Sequence, residues 1–165
     1  MTEVAKYQLL DGNRASEAIR NEITKYAKEV KEKRGRAPHL AAVLVGNDGA
    51  SKTYVNAKVK ACESVGFHST LIRLPESTNE DELLARIKEL NRDMELDGFI
   101  VQLPLPSHID PDHVIMAIDP RKDVDGFHPV NVGKMVQGLE TFIPATPYGI
   151  MLMLEHYKII TKGMH

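Results

Sequence analysis

Apolar residues recur along this chain at two periods, and the switch between them lays out the elements. Ala15, Ala18, Ile19, Ile23, Ala27 and Val30 recur at three- and four-residue steps, the stripe of an amphipathic helix over 12–34 that Gly35 ends. HLAAVLV, 39–45, is instead a continuous apolar run between Pro38 and Gly46, the pattern of a strand buried on both faces. The turn GNDGA, 46–50, leads into SKTYVNAKVKACESVGF, 51–67, where Val55, Val59, Cys62 and Val65 again mark a helix. STLIRL, 69–74, closed by Pro75, predicts a second strand. The next helix is capped by Thr78 or Asn79, has Asp81 and Glu82 in its first turn, and carries Leu83, Ile87, Leu90 and Met94 as its stripe. DGFIVQL, 97–103, stopped by Pro104 and Pro106, predicts the third strand.

The order β-α-β-α-β implies an α/β fold, a parallel sheet with right-handed crossovers and helices on both faces. Ligands of such sheets bind beyond the carboxyl ends of the strands. The 46–50 turn, the start of the 51–65 helix, and Gln102 with its LPLP loop all belong to that edge. Tyr54 and Lys58 lie four apart, one turn above the other and one residue off the apolar stripe. They are therefore expected to meet Gln102 in space. The bland explanation of Tyr-x-x-x-Lys is an amphipathic helix with a snorkelling lysine. After Leu105 the pattern loosens: a short helix at Pro111–Ala117, then an irregular loop, 119–135, leading into a helical turn. Thr146 as N-cap and Pro147 at N1 predict a last helix to about Lys158.

Composition narrows the classes. A chain of 165 residues, 42% hydrophobic and 27% charged, is about one domain with a real core. Its net charge of −2 is mixed throughout, with no basic block to neutralise phosphates, so no nucleic-acid partner is expected. The one cysteine, Cys62, rules out an internal disulfide, fits a reducing compartment and, lying on the helix stripe, is expected in the core. With no apolar leader and no run of membrane-spanning length, the expectation is a soluble, cytoplasmic protein with no membrane partner.

Lys58 is the best candidate for acid/base work, provided burial or a nearby cation lowers its pKa. Gln102 can accept a hydrogen bond from it. Of Asp123 and Asp125 in KDVDGFH, one is expected to face solvent or cap a turn. A carboxylate at the site could accept paired N–H donors from a planar heterocycle. His108, Asp110, Asp112 and His113 are metal-ligand types at undiagnostic spacing, and no metal site is expected. His39, His68, His128 and His156 read as surface or packing residues. No Gly-x-Gly-x-x-Gly or Walker loop occurs, and Ser51 has no histidine partner for a nucleophilic triad.

A series of motifs then resembles one family, the bifunctional methylenetetrahydrofolate dehydrogenase/methenyltetrahydrofolate cyclohydrolases. It comprises LLDG at 9–12, LVGNDGAS at 44–51, SKTYVNAKVKACESVGF at 51–67, DGFIVQLPLP at 97–106, KDVDGFHPVNVGKM at 122–135 and FIPATPYGI at 142–150. The resemblance implies an amino-acid-dehydrogenase-like N-terminal domain, three-layer α/β/α, over 1–146. Residues 147–165 would then be a connecting helix leading to a dinucleotide-binding domain that this chain does not include. It implies Lys58 as the catalytic lysine, Tyr54 stacking on the folate, Gln102 positioning Lys58, and Asp125 holding the pterin. Ser51 and the loop Val101, Gln102, Leu103 and Pro104 would line the cleft. It further implies tetrahydrofolate substrates, NADP or NAD in a longer homodimeric parent, and no tight cofactor binding by this chain, which is expected as a monomer. Asn13 stands where the family usually has lysine, and Ala145 where it commonly has cysteine. A short-chain dehydrogenase would also use Tyr-x-x-x-Lys but needs a glycine-rich loop absent from residues 1–20. A non-catalytic α/β ligand-binding or interaction module is the other alternative.

Overall fold

The sheet forms from the three apolar runs. In the computed structural model, which describes residues 8–164, they are β1 (His39–Val45), β2 (His68–Leu74) and β3 (Gly98–Val101), all parallel, in the order β2-β1-β3. Residues 1–7, part of the segment read as lacking an apolar leader and a glycine-rich loop, and His165 lie outside the described residues. β1 is central and feeds both faces. Ala41, Val43 and Val45 join Phe99 and Val101 against Leu83, Ile87 and Leu90 of α3 (Glu80–Arg92) and Val114 of α4 (Pro111–Ala117). Ala42 and Leu44 join Ile100 against Val55 of α2 (Gly49–Ser64) on the other face. Three layers result, with the strands' carboxyl ends aligned by a register of Val45 with Leu74 and Val43 with Val101.

Local chemistry sets the helix bounds. α1 runs Gly12–Arg34, with the Asp11 side chain accepting from Asn13 and Arg14 N–H, and it stops at Gly35 in the left-handed region. Asn79, not Thr78, caps α3, in a reciprocal capping box with Glu82. Asn79→Ala should therefore lower stability by about 1 kcal/mol, read as a shifted urea midpoint with unchanged slope. The far end of α3 is capped from a distance: the Lys122 ammonium donates to the Leu90 and Asp93 carbonyls.

Several expectations are corrected. α3 ends at Arg92, so Met94 leaves the stripe and is 84% exposed, and Leu96 takes the buried place beyond it. β3 is shorter than 97–103. Asp97 sits before it, its carboxylate accepting from His39 N–H and pairing with Arg36, and Gln102 makes one last backbone bond to Val43 before the chain turns away. Ala18 is exposed and Ile19, Ile23 and Val30 only half-buried, because α1 packs against the helix at 145–156 instead of on the sheet and stands off the end of α2, leaving a groove lined by Ile19, Ile23, Cys62, Val65 and Phe67. Cys62 lines that groove half-buried and is no core thiol, although burial still pushes its pKa up. α5 (Pro129–Val136) is a full helix after the irregular loop. α6 runs Ala145–His156 with Pro144 at the capping position, so Thr146 and Pro147 fall inside the first turn, where a missing N–H costs nothing. No described helix is long and apolar enough to cross a membrane.

Candidate functional site

Asp48 starts the site by ending the loop after β1: its carboxylate accepts from Ser51 N–H at 2.7 Å, and Ser51 is buried beneath it. α2 then packs Val55 on the sheet, which leaves Tyr54 and Lys58 facing outward one turn apart, 66% and 44% exposed. Gln102 leaves the end of β3 beside them. Its amide N–H donates to the Leu103 carbonyl at 2.6 Å, which turns its oxygen toward Lys58, and the Lys58 ammonium lies 3.4 Å from that Oε1. Lys58 and Gln102 meet as expected from the sheet edge. Tyr54 stands at the rim in solvent. The Leu103–Pro104 peptide is cis, with Leu103 half-buried and Pro104 exposed. Val101 packs into the α3/α4 core on the opposite face from α2.

Asp125 completes the group, with its Oδ1 3.8 Å from Lys58 Nζ and its side chain 19% exposed. Burial pushes its carboxyl above the usual range, Lys58 draws it back, and the Asp123 charge pushes it up again. Neither aspartate faces solvent. Asp123 is the buried one and caps the turn, accepting from Gly126 N–H at 3.1 Å and His128 N–H at 2.8 Å. What brings the loop here is an extra parallel bridge between Asp123 and Phe99, with Phe99 N–H donating to the Lys122 carbonyl at 2.9 Å. A side chain at position 98 would run into Val124, so glycine permits that approach. Sequence reading missed this bridge; its only signal is the small residue at the start of β3.

The environment differs from that expected for a lysine base. Lys58 is neither enclosed nor paired with a cation; its charged partner is an anion. Beside the pair a cavity of about 300 Å³ is lined by Lys58 and Asp125 together with Leu40, Ala42, Val59, Ile100 and Val124. An amine, an amide oxygen and a shielded carboxylate next to apolar wall can orient a flat, N–H-bearing ring and move a proton at its edge. His108 and His113 have other partners, the Thr78 carbonyl and the Glu80 carboxylate, and among the described residues no three metal-ligating groups converge.

Residues 10–125, which include Tyr54, Lys58, Gln102 and Asp125, match the tetrahydrofolate dehydrogenase/cyclohydrolase catalytic domain. The chain belongs to this family. It is 61% identical over 158 residues to the bifunctional protein FolD of Flavobacterium johnsoniae, covering 96% of this chain and 54% of that protein. The crystal structure of the FolD methylenetetrahydrofolate dehydrogenase/cyclohydrolase from Campylobacter jejuni superimposes with a TM-score of 0.89 at 46% identity, over 92% of this chain and 54% of that one. The Trypanosoma brucei enzyme, solved with NADP cofactor and inhibitor, gives 0.91 at 30% identity, over 97% and 55%. The chain thus spans about half the length of the family members it matches.

Among the described residues, the helix N-termini at the carboxyl edge of the sheet do not fit a dinucleotide's pyrophosphate. Asp48 occupies the Ser51 N–H of α2, Glu80, Asp81 and Glu82 stand in the first turn of α3, and Asp110 caps α4, and each of these charges repels phosphate.

Proposed function

We propose that this chain is the folate-binding and catalytic part of a longer enzyme. That enzyme oxidises 5,10-methylenetetrahydrofolate to the 5,10-methenyl form with NADP, or NAD, and hydrolyses it to 10-formyltetrahydrofolate. The observation that carries the reading is the Lys58 ammonium between Gln102 Oε1 and Asp125 Oδ1, at a sheet edge inside the matched region. Asp125 accepts the paired N–H donors of the pterin. Tyr54, exposed one turn above Lys58, stacks on the ring, while Ser51, Val101, Leu103 and Pro104 shape or support the cleft. In hydrolysis, the Lys58 ammonium first yields a proton to solvent; its amine takes one proton of the water that adds to the methenyl carbon, and breaking the bond to N5 moves the remaining hydroxyl proton to N5 and leaves the formyl group on N10. No hydride step is assigned to this chain's residues, since they do not fit the dinucleotide. The reading carries with it a cytoplasmic, homodimeric parent.

Loss of 5,10-methenyltetrahydrofolate absorbance on mixing with this chain tests the reading directly. Folate bound without turnover, and indifferent to Lys58, would favour a binding module. Asp125→Asn supplies a second test with two readouts. Folate should bind roughly tenfold to a hundredfold more weakly, the worth of about 1.5–3 kcal/mol for a hydrogen bond to a charged acceptor. Stability should move the other way. The folded carboxyl binds its proton more tightly than the unfolded one, so its contribution is fully present below the unfolded pKa and is lost as pH rises through the raised folded value. The Asn variant should consequently melt above the wild type at neutral pH and level with it in acid. A lower melting point at neutral pH would show that the carboxylate is structural.

A further inference from the structure

The loop that presents Asp125 is braced from behind by side chains that touch neither Lys58 nor the cleft. Asp123, two residues before Asp125, is buried and accepts a third hydrogen bond, from Asn131 Nδ2 of α5, at 2.9 Å. Asn131 is buried too, and its amide is fully engaged. The same Nδ2 donates to the Pro120 carbonyl at 2.9 Å, and Oδ1 accepts from the Thr141 hydroxyl at 2.9 Å. One amide therefore ties Pro120 and Asp123, on the arm of the loop that leads to Asp125, to Thr141 at the start of segment 141–144. That segment touches the loop again at Gly126, where a Cβ would lie 2.8 Å from the Phe142 carbonyl oxygen and 2.9 Å from Pro144 N. Asp125 sits between these two anchors, facing Lys58 of α2 across the cleft and the Asp123 charge on its own loop.

We propose that Asn131 and Thr141 are positioning residues that hold the Asp125 carboxylate opposite Lys58. A buried, hydrogen-bonded network of this kind specifies one geometry, because each member is satisfied in that arrangement alone. With the Thr141 hydroxyl removed, Asn131 Oδ1 is left without its partner, the amide is free to turn, and Asp123 Oδ2 loses one of its two donors, keeping only His128 N–H. The loop can then swing Asp125 outward into water. The proposal deepens the folate reading and rests on it for its consequence in catalysis, but the geometry it claims can be tested without any folate.

The test is a carbon-13 carboxyl NMR titration of this chain, with the Asp125 resonance assigned by its loss in Asp125→Asn. Dissociation constants for 5,10-methenyltetrahydrofolate are measured alongside. In Thr141→Val the Asp125 midpoint should fall toward the ordinary carboxylate range as the group gains water, and folate should bind roughly twofold to tenfold more weakly, the span of one lost neutral hydrogen bond. Thr141→Ser, which keeps the hydroxyl, should restore both. Asn131→Ala should shift the midpoint further; if it does not fold, the Thr141 pair decides alone. A folded Thr141→Val chain with the wild-type Asp125 midpoint overturns the proposal, whatever its stability. A midpoint that moves in a chain unable to bind folate upholds the strut and counts against the folate reading instead.

Discussion

Lys58→Met is expected to remove hydrolysis of 5,10-methenyltetrahydrofolate by this chain, by roughly a hundredfold to ten-thousandfold, the usual worth of a positioned acid/base group. The fold should survive. Methionine is about as good a helix former as lysine, and Lys58 is itself exposed and 3.8 Å from Asp125, so the pair contributes only about 1 kcal/mol. A second consequence is independent of turnover. Lys58 draws the Asp125 carboxyl down, so its loss should let that carboxyl rise further, read in the same carboxyl titration. Gln102→Ala should give a milder loss, because it frees the ammonium without removing it. Turnover unchanged in Lys58→Met would refute the assignment of Lys58. A wild-type chain that binds the folate without hydrolysing it would place part of the cleft in the length of the family members that this chain does not span.

Much of this site was legible because it depends on topology. Once HLAAVLV is a strand buried on both faces and two helices alternate with two further strands, Gln102 and the α2 helix must share the carboxyl edge, and the observed 3.4 Å contact follows. The stripe that Gly35 ends likewise placed α1 at its observed bounds, and the short helix read at Pro111–Ala117 is α4. Asp125 was harder. Two aspartates separated by one residue in an irregular loop have no periodicity to tell them apart, and only the bridge from Asp123 to Phe99 decides which one is buried in the turn. Met94 and Cys62 failed for a shared reason: a stripe records which positions could be apolar-facing, not where the neighbouring layer stops. α3 runs out before Met94, and Cys62 borders the open groove between α2 and α1. At α6, Thr146-Pro147 resembles a capping pair, yet the helix starts two residues earlier, which propensity alone does not resolve.

Gly126→Ala is expected to lower stability by about 2–5 kcal/mol, where Gly138→Ala costs only about 1–2 kcal/mol. The pair is informative because both glycines hold the same left-handed backbone, φ +70°, so the penalty for an L side chain there is common to both. Around Gly138 a Cβ meets nothing within 4 Å, whereas at Gly126 it meets three backbone atoms, Phe142 O at 2.8 Å, Pro144 N at 2.9 Å and Ile143 C at 3.0 Å. Backbone cannot rotate aside as a side chain can, so segment 142–144 has to move. Against a total stability of about 5–15 kcal/mol, that is a large fraction for one methyl group. Urea unfolding of the two variants measures the difference. Folate affinity should follow it, falling in Gly126→Ala and holding in Gly138→Ala, since moving residues 142–144 also displaces Thr141 and, through Asn131, the loop that carries Asp125. Equal losses of stability in the two variants would mean that segment 142–144 yields freely, and a segment that yields cannot hold a carboxylate in place.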